Sequence, residues 1–491
     1  MTADEAVICS SFLSSPALKY FFLTVRASMK KNLFRQNKVH FTSLGCSRNL
    51  VDTEVMLGLV LKAGYEVTSA PEDADFYVIN TCGFLESARN EAISIIQSLF
   101  DTKKPHAKVV VTGCMVQSHR EILKEKFPDI HYYLGSGDAE KILEALSSEE
   151  AKDGVTDARS YLQAAEVPRV LSTPKHYAYL KIAEGCKKRC SFCIIPHIKG
   201  GLKSKTQEQV LKEFKALLAQ GVKEVILIAQ DLGDFGKDRM ESSGLENLLK
   251  AMVQVEGDYW IRLLYLYPDE ITSELIEIMQ NEPRIVPYLD MPIQHINNRV
   301  LKAMHRKTNR EQIIGIIQSL REKIPQIVIR TSLMVGFPSE TEEEFLELNQ
   351  FIQDYPLDNI GIFEYSKENE SYSALLPGHH TAETKKRRFD MLASTQQQVL
   401  KKQWKRFVGQ TLDVVIEGFH PESQYLLVGR FYGQCPEIDG MVVINDWDRN
   451  VQLGQKVRVK ITDLMGYDLV GQMMKSAGVE PKKAHRKLSM V

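Results

Sequence analysis

Short apolar runs alternate with amphipathic segments in the first part of the chain. The apolar runs predict strands at 38–44, 76–80 and 108–112. The amphipathic segments predict helices at about 49–62 and 86–100, with another helix behind the third strand. Strands that alternate with helices at this spacing indicate βαβ units and a parallel sheet.

The same alternation resumes at Tyr177 after a polar stretch. Strands are predicted at 177–183, 223–229, 260–266, 286–290, 326–334 and 358–365. Helices fit between them, for example at 206–219, 244–255 and 342–354. Six such units predict a partial (β/α)6 barrel, in which an active site is expected at the carboxyl ends of the strands.

The pattern changes again near the end of the chain. A helix rich in Lys, Arg and Gln is predicted at about 383–407, and short alternating strands follow at 411–417, 425–430, 441–444 and 455–463. Turns such as Asp439-Gly440 separate these strands, which predicts a small antiparallel β-barrel. The fold class is therefore α/β, with a parallel-sheet domain, a partial barrel and a terminal β-barrel.

Length and pattern together predict the domain boundaries. A chain of 491 residues is expected to hold about three domains. We place an N-terminal domain at 38–148, a linker at 149–172, the barrel at 173–403, the small β-barrel at 404–472 and a basic tail at 473–491. Residues 1–37 form an extension without the basic start of a signal peptide, and we expect Met29 to be the native start.

Charge and cysteine content narrow the classes of function. The net charge is −1, and basic and acidic residues balance between 401 and 470, which favours a protein substrate over tRNA. No uninterrupted run of about 18 apolar residues predicts a membrane span. Eight cysteines are too few for a disulfide scaffold, so reduced thiols in the cytoplasm are expected, with Cys9 and Cys435 as ordinary free cysteines.

A compact cysteine motif directly follows the first predicted barrel strand. Cys186, Cys190 and Cys193 have the spacing CxxxCxxC, which can bring three thiolates to one iron–sulfur cluster and leave one iron open. The alternative is a structural zinc site in which His197 supplies the fourth ligand.

Three further cysteines each follow a strand of the N-terminal domain. They are Cys46, Cys82 and Cys114, and each stands beside a glycine. Ligands bind at the carboxyl edge of a parallel sheet, so these cysteines are expected to converge on a second cluster. The alternative is that they are buried structural cysteines.

Polar or backbone-exposing residues follow other barrel strands. Those predicted to line a small-molecule pocket are Gln230, Asp231, Gln294, Arg330 and Gly336. His295 stands beside them, and a structural role for it is as reasonable as a functional one.

These motifs resemble those of a known superfamily. CxxxCxxC after the first barrel strand resembles the radical S-adenosylmethionine (SAM) superfamily, and three dispersed cysteines in a preceding domain narrow the match to its methylthiotransferases. Residues 44–52, LGCSRNLVD, and 184–201 resemble the branch that modifies an aspartate of small-subunit ribosomal protein number twelve. Ser47 replaces a usual proline and Lys199 a common arginine. The final β-barrel resembles a TRAM domain.

The resemblance implies a transferase that adds a methylthio group to the aspartate β-carbon. It implies two [4Fe–4S] clusters and two molecules of SAM, with Cys186, Cys190 and Cys193 at the catalytic cluster and Cys46, Cys82 and Cys114 at the other. We also expect a monomeric enzyme that receives electrons from a donor such as flavodoxin or ferredoxin. Contact with nucleic acid is possible, but nucleic acid is not expected to be the substrate. A tRNA adenosine methylthiotransferase and a non-catalytic metal-binding scaffold are the alternatives.

Overall fold

The fold is described from a computed structural model that covers residues 37–156 and 167–474. The chain divides after Gln403 into two compact units. The expected start at Met29, Cys9 and the basic tail from residue 475 onward lie outside the described residues.

The N-terminal part of the first unit is a six-stranded sheet in which every neighbouring pair is parallel. Its strand order is β2-β1-β3-β4-β5-β6. The strands are β1 (Lys38–Ser43), β2 (Glu66–Val67), β3 (Phe76–Thr81), β4 (Lys108–Gly113), β5 (Tyr132–Leu134) and β6 (Lys152–Asp153). The helices are α1 (Ser47–Lys62), α2 (Glu86–Thr102), α3 (Cys114–Lys126) and α4 (Ile142–Ser147). The predicted parallel sheet is confirmed.

Three of these strands were not predicted. β2 and β6 have two residues each and β5 has three, so they are too short to show a period in the sequence. β6 lies inside the stretch 149–172 that was expected to be a linker, and it extends the sheet by pairing with β5. Arg169 is also fixed, because its guanidinium donates to Glu54 of α1 at 2.6 Å and to Glu213 at 2.8 Å. This stretch therefore holds structured backbone on both sides of residues 157–166.

The central part of the first unit is an open sheet of six parallel strands. Its strands are β7 (Tyr177–Lys181), β10 (Glu224–Ile228), β11 (Trp260–Leu263), β12 (Ile285–Asp290), β13 (Val328–Val335) and β14 (Asn359–Glu364). The helices between and after them are α5 (Ile195–Lys199), α6 (Gln207–Ala219), α7 (Gly244–Met252), α8 (Ser273–Asn281), α9 (Asn298–Ala303), α10 (Arg310–Lys323), α11 (Glu342–Asp354) and α12 (Ala382–Trp404). The predicted partial barrel is confirmed.

Local sequence fixes where several of these helices begin. Thr206, Asn309 and Thr341 each accept a hydrogen bond from the backbone three residues later, and the residue at that position returns one. Such capping boxes satisfy backbone N–H groups that a helix start leaves unpaired. A short hairpin of β8 (Ala183–Glu184) and β9 (Lys203–Ser204) then holds the cysteine loop of residues 185–202 at the end of β7.

The second unit contains a closed five-stranded barrel of order β15-β16-β17-β19-β18. Its strands are β15 (Thr411–His420), β16 (Ser423–Phe431), β17 (Val442–Asp446), β18 (Lys456–Met465) and β19 (Asp468–Met473). The predicted small β-barrel is confirmed: four of its five neighbouring pairs are antiparallel, and β17 and β19 pair in parallel. The sequence pattern missed β19, and a closed ring of five strands cannot alternate direction at every pair.

No helix among the described residues is long and apolar enough to cross a membrane.

Candidate active site

The three cysteines of the N-terminal domain lie in adjoining loops at the carboxyl edge of its sheet. Cys46 is the N-cap of α1, Cys82 follows β3, and Cys114 begins α3. Gly45, with φ of +90°, lies so close to Cys82 that an added Cβ would be 2.8 Å from the Cβ of that cysteine. A Cβ on Gly83 would lie 2.8 Å from the carbonyl carbon of Cys114. The loops therefore touch in sequence order, and glycine is required at both contacts.

Asn49 connects the same loops from inside the protein. Its side-chain amide donates to the carbonyl of Leu44 at 3.2 Å and to that of Thr81 at 3.0 Å. Its oxygen lies 3.5 Å from the Cys114 sulfur, and the residue is 1% exposed. One buried side chain thus fixes the spacing of all three cysteine loops, because each contact satisfies a buried polar group.

Two cations act on these thiols, the half-buried Arg48 and the buried Lys199. Burial acts to raise the pKa of Cys46, but the Arg48 charge, two backbone N–H groups of the first turn of α1 and Lys199 outweigh it, so this pKa is lowered. Burial raises the pKa of Cys82, and it raises the pKa of Cys114 to about 12 against the opposing charge of Lys199. Cys46 is therefore the thiol of this site that most readily becomes a thiolate.

The CxxxCxxC loop forms a second three-thiol site at the end of β7. The Cys193 N–H donates to the Cys190 carbonyl at 3.1 Å, and the Ile195 N–H lies 3.4 Å from the Cys193 sulfur. Burial raises the pKa of Cys186 and of Cys193 to about 12 each. Binding a metal cluster would therefore release protons from these thiols.

One aromatic and one basic side chain contact the middle cysteine of this loop. The Tyr267 hydroxyl lies 3.4 Å from the Cys190 sulfur, and an Arg306 nitrogen lies 3.6 Å from it. The Arg306 guanidinium also stacks over the Tyr267 ring at 4.0 Å. Hydrogen bonds to a ligating sulfur tune the potential of a cluster, so these residues belong to the site.

Lys188 anchors the same loop to the neighbouring strand ends. Its buried ammonium lies 3.2 Å from Asp231, 3.0 Å from Asp269 and 2.5 Å from Glu270. Burial lowers the pKa of Lys188, but the surrounding carboxylates outweigh it and hold that pKa above its ordinary value. The loop is therefore held by a buried charge and not only by its backbone.

The thiols of each site are spaced more widely than a single zinc ion requires. Four zinc–sulfur bonds of about 2.3 Å require sulfurs about 3.8 Å apart. Among the described residues, the group of three ligand atoms that lie within 4.8 Å of one another is Asp231, Asp234 and Glu270, and neither cysteine trio qualifies. Cys thiolates bind a [4Fe–4S] cluster at its separate corners, so the three thiols of each site are a donor set that fits such a cluster.

The two cysteine sites are neighbours. Cys114 packs with Ile194 and Ile198, which lie one and five residues after Cys193 of the CxxxCxxC motif. Arg48 donates to the Ala229 carbonyl at 2.7 Å and lies over the Tyr265 ring at 4.7 Å, and its charge acts on both Cys46 and Cys193. Arg48 is therefore shared by the two sites.

The predicted strand-end residues occupy varied places. The Gln230 amide donates to Glu184 at 2.7 Å, and Asp231 faces Lys188, with burial raising the pKa of Asp231 to about 6. Gln294 has φ of +71° and bridges to Leu333.

The last two predicted residues bind neighbouring side chains. Arg330 donates to Asp290 at 2.8 Å. An added Cβ on Gly336 would lie 2.4 Å from the Lys385 side chain. The Lys385 side chain occupies the space that a side chain at position 336 would fill, so glycine is required here for packing.

Other chemically reactive residues have structural surroundings. His295 is fully buried, and its ring nitrogen lies 3.1 Å from Glu340. Cys435 is buried in the β-barrel and forms no disulfide among the described cysteines. Sequence reasoning assigned no role to Asn49, Arg48, Tyr267 or Arg306. Arg48 and Asn49 lie close to Cys46 in sequence, and Tyr267 follows a barrel strand, so their positions could have indicated a role in the site. The sequence around Arg306 carries no such signal.

The chain matches three family models. They are the Uncharacterized protein family UPF0004 over residues 38–135, the Radical SAM superfamily over 180–352 and the TRAM domain over 408–474. These matches coincide with the parallel-sheet part, the open barrel and the closed β-barrel.

Curated relatives resemble the chain over most of its length. The ribosomal protein uS12 methylthiotransferase RimO of Protochlamydia amoebophila is 57% identical over 440 residues, which are 89% of this chain and 93% of that protein. The protein of the same name from Chlamydia caviae is 53% identical and covers 91% and 97%. That from Bdellovibrio bacteriovorus is 44% identical and covers 91% and 99%.

A solved structure shares the fold. The radical S-adenosylmethionine methyltransferase TsrM from Kitasatospora setae, with cobalamin and a [4Fe–4S] cluster bound, matches with a TM-score of 0.51. It is 16% identical, and the match covers 69% of this chain and 77% of that one. The fold, the two cysteine sites and the extended identity to curated relatives agree, and the chain belongs to the RimO family of radical SAM methylthiotransferases.

Proposed function

We propose that this protein adds a methylthio group to the β-carbon of an aspartate in ribosomal protein uS12. The observation that carries the proposal is the placement of two three-thiol sites side by side, with Arg48 acting on both. A scaffold that only binds metal has no need for two neighbouring sites with spare coordination positions. The relatives named RimO support the substrate.

We assign one cluster to each site. Cys186, Cys190 and Cys193 would hold the cluster that serves SAM, and Cys46, Cys82 and Cys114 would hold the other. When bound, these groups supply the radical chemistry and the sulfur that side chains cannot provide, because acid–base catalysis does not break an unactivated C–H bond. Gln230, Asp231, Gln294, Arg330 and Gly336 stay our candidates for the SAM pocket.

The chain itself supplies placement and exclusion of water. Asn49 fixes the N-terminal loops and Lys188 fixes the CxxxCxxC loop, so the two sites keep one relative position. Ile194 and Ile198 form apolar packing beside Cys114. A dry, rigid setting protects a reactive intermediate from side reactions.

The remaining parts of the proposal concern organisation and partners. We divide the enzyme into domains at 38–148, 173–403 and 404–472, and we propose a monomer that accepts electrons from a flavodoxin or ferredoxin in the cytoplasm. The TRAM-matching barrel would contact ribosomal RNA or protein near the substrate. Its balanced charge between residues 401 and 470 argues against tRNA as the substrate.

A deletion strain tests the substrate. Mass spectrometry of uS12 should show a methylthio mass increase in the parent strain, no increase in the deletion strain and recovery on complementation. Modified nucleosides of tRNA should be the same in both strains. A methylthio-adenosine lost from tRNA, with uS12 unchanged, would instead support the tRNA enzyme.

A further inference from the structure

Lys199 is a buried cation without a hydrogen-bond partner among the described residues. It is the last residue of α5, is 4% exposed, and its Nζ makes no hydrogen bond to any described residue. The nearest carboxylate oxygens, on Asp52 and Glu184, are each 3.6 Å away. An ammonium carries three donors, and leaving them unsatisfied in the interior is costly.

The nearby carboxylates are already bound to other groups. Lys181 lies 2.5 Å from Asp52 and 2.7 Å from Glu184, and Gln230 also donates to Glu184 at 2.7 Å. Lys199 therefore balances the charge of this cluster without taking part in its hydrogen bonds. Its donors are available for a further acceptor.

The position of Lys199 points to the N-terminal cysteine site. The preceding residue, Ile198, packs with Cys114, and α5 lies next to α3, which Cys114 begins. The Lys199 charge acts on Cys46, Cys82 and Cys114 alike. The ammonium thus lies at the border of the site whose open coordination position would receive sulfur.

We propose that the Lys199 ammonium binds an anionic sulfur ligand, a hydrosulfide or methanethiolate, at the site formed by Cys46, Cys82 and Cys114. This inference rests on the proposed function, which places a cluster there, and it adds the residue that holds the ligand. An anion is the natural partner because it accepts the ammonium's hydrogens and gains from its charge in a site of low dielectric constant. Lys199 is in this view a positioning residue for the sulfur.

The test is a titration of the reconstituted holoprotein with sodium methanethiolate in the absence of SAM. The clusters are first reduced with dithionite, which makes them paramagnetic, and the change in their electron paramagnetic resonance spectrum reports binding. Lys199→Met should raise the half-saturating concentration about 10- to 100-fold, the range expected for losing a hydrogen bond to a charged group. Lys199→Arg should stay within about threefold of the wild type, because it keeps the charge and the donors.

Lys205→Met is the matched control. Lys205 is also a buried lysine of the same unit, 1% exposed, and its ammonium is bound to Glu213 at 2.6 Å. This variant should bind methanethiolate as the wild type does. A Lys199→Met holoprotein that binds as tightly as the wild type overturns the proposal, and so does a wild type that holds both clusters and binds no methanethiolate.

Iron content separates this inference from the proposed function. Two [4Fe–4S] clusters require about eight iron atoms per chain, and a wild-type protein that holds only about four contradicts the second cluster itself. If the single variant Lys199→Met loses iron, the double variant Lys199→Met/Asp52→Asn is used in the methanethiolate titration instead. In that double variant one positive and one negative charge are removed together. Wild-type affinity in that double variant would equally overturn the role of Lys199.

Discussion

The buried Lys181 ammonium gives the sharpest stability prediction. Lys181 stands on β7, is 1% exposed, and lies 2.5 Å from Asp52 of α1 and 2.7 Å from Glu184. It therefore joins helix α1 of the N-terminal part to the open barrel. Lys181→Met keeps the volume of the side chain and removes its charge.

The loss of folding free energy in Lys181→Met follows from the charges that remain buried. Removing one partner of a buried ion pair costs about 3–5 kcal/mol, because the other partner stays buried. Two carboxylates lose a partner here, while Lys199 still lies 3.6 Å from each, so the same range applies. For a unit of about 360 residues, with an unfolding entropy of about 2.1 cal/mol/K per residue, we expect a fall in the unfolding temperature of about 4–7 °C.

Thermal unfolding of the cluster-free protein, followed by circular dichroism, measures this change. Lys250→Met is the control, because Lys250 is half-exposed and pairs with Glu274 at the surface; it should shift the unfolding free energy by less than about 1 kcal/mol. Lys181→Met/Asp52→Asn should recover part of the loss by restoring the charge balance. A shift below about 2 °C for Lys181→Met, or a double variant less stable than the single one, would refute the reasoning.

Three further changes have distinct expected results. Asn49→Ala removes the hydrogen bonds that connect the N-terminal cysteine loops. Iron content should therefore fall from about eight toward about four atoms per chain, while SAM cleavage persists. Full iron content would contradict the role of Asn49 in holding the N-terminal cluster site. Lys188→Met should lower the rate of SAM cleavage at least about tenfold, with N-terminal iron retained, since the loop loses its anchor; a wild-type rate would count against it. Burial acts to raise the pKa of Glu213, but Lys205 and Arg169 outweigh it and lower that pKa. The ionised Glu213 therefore stabilises the fold above the ordinary glutamate pKa of about 4.3, and this contribution is lost as pH falls below that value. Glu213→Gln should therefore be less stable than the wild type in urea at pH of about 7, with a difference that shrinks below pH of about 4; a constant difference would contradict this pKa.

Sequence patterns predicted the long elements because each carries its own period. The six barrel strands and α11 appear close to their predicted bounds, since a buried strand or an amphipathic helix is visible over a few turns of sequence. Strands of two or three residues, such as β2 and β6, are stabilised by pairing with a neighbour and leave no period. A parallel pair such as β17 with β19 is required when five strands close into a barrel, and closure is a property of the whole domain.

The candidate site divides in the same way. That Cys46, Cys82 and Cys114 come together could be predicted, because the carboxyl ends of parallel strands meet at one edge. The contacts of Arg306 with Cys190 and of Lys199 with its surroundings could not, because they join residues far apart in sequence through side-chain geometry. Such contacts become visible only when the strands are placed in space.

Separating the two cysteine sites tests the central claim most directly. The purified, reconstituted enzyme is assayed with uS12, SAM and a reductant, and both 5′-deoxyadenosine and methylthiolated peptide are measured by mass spectrometry. The variant with Cys46, Cys82 and Cys114 all changed to Ala should still cleave SAM but form no methylthiolated product, whereas Cys186→Ala should abolish both. Methylthiolation of uS12 by the triple variant at the wild-type level would contradict the account.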